Sequence, residues 1–161
     1  MHSRIFEISR SPINRKERIN AYGLPEWFCH EIADYVDDLG ESEREDSLSW
    51  FESHFGEACN RTGDKLTFIE NAKETYFRSR YQAFVAAARA AAECTLEEFC
   101  GDNEMSTFTM TIYRLKESYE DKFGFYVYDH DVEELMTLDT WIRAADLTKS
   151  YYLGSAIDYH F

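Results

Sequence analysis

The stretch Tyr151-Tyr-Leu-Gly-Ser-Ala-Ile-Asp-Tyr-His-Phe161 closes the chain with alternating apolar and polar residues. Strict alternation has the period of an extended strand half-covered on one face. Leu153, Ile157, Tyr159 and Phe161 take one side, or nearly so, and Gly154 marks a bulge where the alternation slips. A second aromatic run, Phe123 to Tyr128, alternates in the same way, with Phe123, Phe125 and Val127 on one face and Tyr126 and Tyr128 on the other. Two such strands near the C-terminus point to antiparallel neighbours.

Working outward, Arg4 to Ser9 reads as a strand and Lys65 to Glu70 as a strand or the first turn of a helix. Pro25 suits the first position of a helix, and Phe28, Ile32, Tyr35, Val36 and Leu39 follow at helical spacing up to Gly40. Ser42-Glu-Arg-Glu45 has the form of a capping box opening a second helix, with Leu48, Phe51 and Phe55 inward and Gly56 as its stop. Asn71-Ala-Lys-Glu74 opens a long helix to Glu93 with Phe77, Tyr81, Phe84, Ala88 and Ala91 on one side. Thr95-Leu-Glu-Glu98 opens a short one. Met105, Phe108, Ile112, Leu115 and Tyr119 form the seam of another, and a last short helix surrounds Trp141 and Ile142. The expectation is an α+β fold in a single domain over residues 1–161. It has about six helices packed on a small, mainly antiparallel sheet of three to four strands.

The chain carries a net charge of −14, and Glu31 to Glu57 holds ten acids against the single base Arg44. Free nucleic acid and anionic membrane surfaces would repel such a protein. No apolar run is long enough to span a bilayer, and no n-region with an apolar core opens the chain. The four cysteines, Cys29, Cys59, Cys94 and Cys100, form no C-x-x-C pair, so the expected compartment is reducing and cytoplasmic.

Read as a helix, residues 26–39 put Glu31, Asp34 and Asp38 on the face opposite the apolar one, at steps of three and four. Like charges so placed repel by about 0.2–0.5 kcal/mol per pair. Asp37 and Asp38 also meet the wrong end of the helix dipole. These acids do not serve their own helix. They serve either solubility or a partner, and a rigid carboxylate array can imitate a run of phosphates. The leading expectation is a non-enzymatic acidic interaction protein whose partner is a basic protein. Its sharper form is a nucleic-acid mimic inhibiting a DNA- or RNA-binding protein, of the anti-restriction or anti-CRISPR type. The expected contact residues are Trp27, Glu31, Asp34, Asp37, Asp38, Glu41, Glu43, Glu45, Asp46, Tyr126 and Tyr128, because Tyr and Trp enrich the centres of interfaces. No cofactor is expected. The basic start (Arg4, Arg10, Arg15, Lys16, Arg18) is expected to pack against the acidic helix of its own chain or of a second copy in a homo-oligomer.

The alternative is a small metal-dependent hydrolase or phosphoesterase. Asp129, His130 and Asp131 follow a strand, and Asp158 and His160 lie on one face of the last strand. Were the two strands paired, these groups would converge on one ion. Against this, an Asp-His-Asp run at a strand end also serves as a turn with a helix cap. Thiol catalysis has less support. Cys29 and His30 would point about 100° apart on a helix, and Cys59 near His54 lacks a recognisable oxyanion turn. No P-loop, G-x-S-x-G, H-E-x-x-H or G-x-G-x-x-G occurs.

Overall fold

A computed structural model describes residues 1–101 and 107–161. Contacts divide the chain into two compact units, one of Met1–Tyr76 with Lys122–Phe161, the other of Phe77–Asp121.

The first unit is built around β7 (Tyr151–His160). β1 (His2–Ser9) lies antiparallel along its whole length, from His2 opposite His160 to Ser9 opposite Tyr152. The other edge of β7 is shared. β4 (Lys65–Phe68) pairs with Tyr151 and Tyr152, and β2 (Tyr35–Asp38) pairs with Ile157 to His160. β3 (Cys59–Thr62) closes a hairpin with β4. Beyond β1, β5 (Tyr126–Asp129) runs parallel to it, and β6 (Glu134–Thr137) returns antiparallel to β5.

The sheet therefore has seven strands, ordered β3-β4-β7-β1-β5-β6 with β2 also on β7. This corrects the expected sheet of three to four mainly antiparallel strands: it is larger and mixed. The three unforeseen strands are β2, β3 and β6, each four residues long. That is too short for alternation to stand out, and each is held by a neighbour distant in sequence. In β2 a helical pattern loses to pairing with β7. The extended chain also separates acids that a helix would stack.

α1 accordingly stops early, at Glu26–Glu31. α2 (Glu41–Phe55), α3 (Ala72–Ala92), α4 (Leu96–Phe99), α5 (Thr107–Tyr119) and α6 (Leu138–Ala144) follow the expected order. α1 covers one sheet face, where Phe28 meets Tyr126 at 4.9 Å and Tyr159 at 5.2 Å over Ile5 and Ile157. α2 covers the other, with Leu48, Phe51 and Phe55 buried as expected and Phe51 set 4.5 Å from Phe6. Trp141 of α6 packs on Tyr151 at 5.0 Å.

β7 does bulge at Gly154. The register passes from Phe6–Ala156 to Ile8–Leu153, so Glu7 alone faces Gly154 and Ser155. Glu7 is fully buried. Its carboxyl group accepts from the Ser155 backbone N–H (2.9 Å), the Ser155 hydroxyl (3.1 Å) and the Ile19 N–H (3.1 Å), and is hydrogen-bonded to His130 Nδ1 (3.1 Å). These four partners occupy its hydrogen-bonding sites. On the bulge's other side, between β4 and β2, Arg44 of α2 closes the gap. Its Nε donates to the Gly154 carbonyl (2.6 Å), and its Nη2 to the Leu153 carbonyl (3.1 Å) and to Asp64 Oδ1 (2.8 Å).

In the second unit, Arg80 donates to the Glu117 carbonyl at 2.8 Å, Phe84 packs on Tyr119 at 6.2 Å, and Thr95 with Glu98 forms the expected capping box. Tyr81 stands 66% exposed rather than on an inward face. Of the seam expected on α5, Phe108, Ile112 and Leu115 are half-buried and Tyr119 is exposed, while Met105 lies outside the described residues.

A Cβ added at Gly154 would run into the Glu7 carboxylate and stand 2.9 Å from Ile13 Cδ1. Gly154→Ala is expected to lower the unfolding free energy in urea by about 2–4 kcal/mol. A loss below about 0.5 kcal/mol, the scale of a neutral surface change, would contradict this picture of the bulge.

Candidate functional site

The acidic stretch does not form one array. Its carboxylates fall into different surroundings because β2 is extended and α2 turns each of its acids to a different neighbour. Glu41 pairs with Arg15 (3.4 Å) and Arg18 (3.3 Å), so the basic start does pack on the acids of its own chain. Glu45 and Glu52 hold Arg61 at 2.7 and 3.3 Å, and these bonds raise the Arg61 guanidinium above its ordinary pKa. Asp38 accepts from the Ala21 N–H at 2.8 Å, and Glu43 from the Gly40 N–H at 3.1 Å at the start of α2. Glu31 is exposed at the end of α1, and Trp27 of the same helix is 41% exposed with its edge on Phe28.

Tyr126 is buried, its hydroxyl donating to the Lys122 carbonyl at 3.0 Å. Tyr128 is half-buried, and its pKa is raised by that burial and then by Glu133 and Glu7. Of the two tyrosines expected at a contact surface, Tyr126 is therefore in the core and Tyr128 is half-covered.

What remains open is a corner of the α2-covered face that α2 crosses but does not fill. Strand pairing sets two rows of side chains there. Tyr35, His160 and His2 form one across β2, β7 and β1; Asp37, Asp158 and Arg4 form the next. Asp158 receives the Arg4 guanidinium on one oxygen and His2 Nδ1 (2.8 Å) on the other. His160 Nδ1 meets Asp34 at 2.7 Å, and the His2 and His160 rings lie edge to face at 5.0 Å. Tyr35 is hydrogen-bonded to Asp37, which raises the tyrosine's pKa through that bond first, then through charge.

α2 makes the wall of this corner. Arg4, Leu39, Glu43, Asp46, Ser47 and Trp50 line a groove. Arg4 Nε donates to Ser47 Oγ at 3.2 Å, and its guanidinium lies 5.6 Å from the centre of the Trp50 ring. Tyr35 and Trp50 are 56% and 45% exposed. Among the described residues Asp37, Glu43 and Asp46 stand in no salt bridge. The corner thus presents aromatic and aliphatic surface beside uncompensated carboxylates. Such a surface has the apolar and acidic groups that the stem and head of a cationic side chain can meet.

Of the acids expected at a contact surface, Asp34, Asp37, Glu43 and Asp46 lie exposed at this corner. Tyr35, Trp50, Arg4 and His2 share it, and the sequence does not single these out as contact residues. Trp50 did leave a signal, as the large aromatic on α2 outside the inward set of Leu48, Phe51 and Phe55.

The alternative metal cluster is split by the fold. β1 lies between β5 and β7, so the two strands do not pair. Asp129 sits opposite Ile8 and Asp158 opposite Arg4, four residues apart on β1, or roughly 13 Å. Asp129 accepts from Trp141 Nε1 (3.0 Å), Asp131 from Ser9 Oγ (2.9 Å) and the Arg10 N–H (2.7 Å), and His130 meets Glu7. Among the described residues no three His, Cys, Asp or Glu side chains are grouped to hold a metal ion. His54 lies 3.1 Å from the Tyr76 hydroxyl. Cys59 is buried, and burial pushes its thiol up to about 12.

No family model, curated protein sequence or solved structure matches the chain. No helix among the described residues is long and apolar enough to cross a membrane.

A thiol-disulfide reagent at pH 8 is expected to label the exposed Cys29 and Cys100 and to spare Cys59 until the protein unfolds, because the thiolate is the reacting form. Rapid native-state labelling of Cys59, read by peptide mass spectrometry, would contradict the burial assigned to it.

Proposed function

We propose that this is a non-enzymatic interaction protein of the cytoplasm that binds a basic protein surface through the open corner of its sheet. The observation that carries the reading is the groove itself. Exposed Trp50 stands beside Glu43 and Asp46 in the groove and Tyr35 and Asp37 lie exposed on β2, whereas other acids of the same stretch are tied up by Arg15, Arg18 and Arg61. A solvated face has no need of exposed aromatic rings, and aromatic anchors within a polar rim are the usual composition of a binding hot spot. The anchor on the partner is an arginine or lysine side chain. In the sharper form the partner is a DNA- or RNA-handling protein whose cationic surface otherwise meets phosphates. The corner then competes with nucleic acid, as an inhibitor of the anti-restriction or anti-CRISPR type would.

A fluorescent arginine nonapeptide tests the anchor by anisotropy titration. Binding at low salt is expected, weakening steeply as salt rises because the attraction is screened. Asp37→Lys with Asp46→Lys is expected to weaken it about tenfold or more, the scale on which reversing charges at a contact acts. Glu57→Lys with Glu134→Lys changes net charge equally, away from the corner, and is expected to cost far less. Equal losses in the two double variants would mean that only net charge matters and would remove the corner as the site. The competition reading requires, further, that duplex DNA and this protein exclude each other on a common basic partner.

A further inference from the structure

We infer that the same corner is gated by its two histidines, so that its hold on a cationic partner is strong when His2 and His160 are neutral and falls when they are protonated. The inference rests on the proposed binding of a cation at this corner. His2 and His160 are neighbours, ring centre to ring centre 5.0 Å, in the floor of the surface. Each is set against a carboxylate, His2 on Asp158 at 2.8 Å and His160 on Asp34 at 2.7 Å.

The charged and titratable groups facing them come from every element around the corner. β1 supplies Arg4, β2 and its leading residue supply Tyr35, Asp37 and Asp34, β7 supplies Asp158, and α2 contributes Glu43 and Asp46 on the wall. The Met1 ammonium lies 2.9 Å from His160 Nε2 and donates to the Phe161 oxygen at 2.6 Å.

With both rings neutral the corner's side chains hold five carboxylates (Asp34, Asp37, Glu43, Asp46, Asp158) against the Arg4 guanidinium, the Met1 ammonium being bonded to Phe161. Imidazoles gain protons between pH 8 and 5, a range in which ordinary carboxylates and guanidinium groups keep their charge. Two added positive charges cancel half of that surplus. They also place like charges side by side in the floor and give Asp34 and Asp158 internal counter-ions. A partner's arginine then meets a much less negative surface. By linkage, a bound cation must hold the two imidazoles in their neutral form.

The arginine nonapeptide keeps its charge throughout, so its affinity at pH 8.0 and pH 5.5 reads the corner alone. The expected result is binding about tenfold or more weaker at pH 5.5, the scale on which a changed local charge balance acts. In His2→Gln with His160→Gln the ratio of the affinities at pH 8.0 and pH 5.5 should fall toward one, whatever the affinity at pH 8.0. His30→Gln, on exposed α1 away from the corner, should keep it. If the parent binds equally at the two pH values, or the double variant retains the full dependence, the gating is overturned and the binding reading stands. If the peptide binds at neither pH, the binding reading fails and the gate with it. His160→Asn paired with His2→Asn repeats the test should circular dichroism show the glutamine variant to be misfolded.

Discussion

The structure depends on how one buried carboxylate is satisfied. Glu7 sits in the middle of β1 with no access to water, and its hydrogen-bonding sites are occupied by Ser155, Ile19 and His130. Burying a charge without such partners is prohibitive. The bulge at Gly154 and Ser155 supplies two of the donors. The lack of a side chain at Gly154 leaves the room the carboxylate occupies. A bulge would ordinarily leave the neighbouring carbonyls unpaired, but Arg44 reaches in from α2 and takes both. A buried carboxylate and a buried guanidinium thus hold adjacent residues of β7, Glu7 at Ser155 and Arg44 at Leu153 and Gly154. Removing either partner would leave the rest exposed to the cost of an uncompensated buried group.

This arrangement places the corner. Arg44 locks α2 against the middle of β7 and fills the stretch of edge between β4 and β2. β2 is left to pair only with the last residues of β7, next to the first residues of β1. The open face there carries Tyr35, Asp37, Asp158, His2 and His160. Four residues after Arg44 on one helix side, Leu48 enters the core; Glu43, Asp46 and Trp50 turn toward the corner. The acids of residues 31–57 therefore divide by geometry. Those facing the basic start and the β3 arginine become internal ion pairs, and those facing the corner stay available.

Much of this was legible in the residues. The six helices, the strand character of the ends, the bulge at Gly154 and the packing of the basic start on the chain's own acids all follow from periodicity, capping and charge. β2 was not legible. Phe28, Ile32, Tyr35, Val36 and Leu39 satisfy a helical template, and only pairing with a strand more than a hundred residues away overrides it. β1 and β5 run parallel for the same kind of reason: nothing local records which strand separates β5 from β7, and the Asp129 and Asp158 clusters part for that reason alone. Glu7 was hidden too. One glutamate in an alternating strand reads as a solvent-facing residue until a segment packs over it. Exposure of Tyr35 and Trp50 is likewise a property of how far α2 extends across the sheet.

Native-state amide hydrogen exchange at β7 reads whether Glu7 and Arg44 close the bulge. Among the described residues no strand pairs with β7 on that edge between β4 and β2, yet Leu153 N–H donates to the Asp64 carbonyl at 2.8 Å and Ser155 N–H to Glu7 at 2.9 Å. If Glu7, Arg44 and Asp64 close the bulge as described, both amides exchange only through global unfolding, in the slowest class with those of Ile157 and Phe6. Fast local exchange at Leu153 and Ser155, with Ile157 still protected, would show an open bulge and contradict the account.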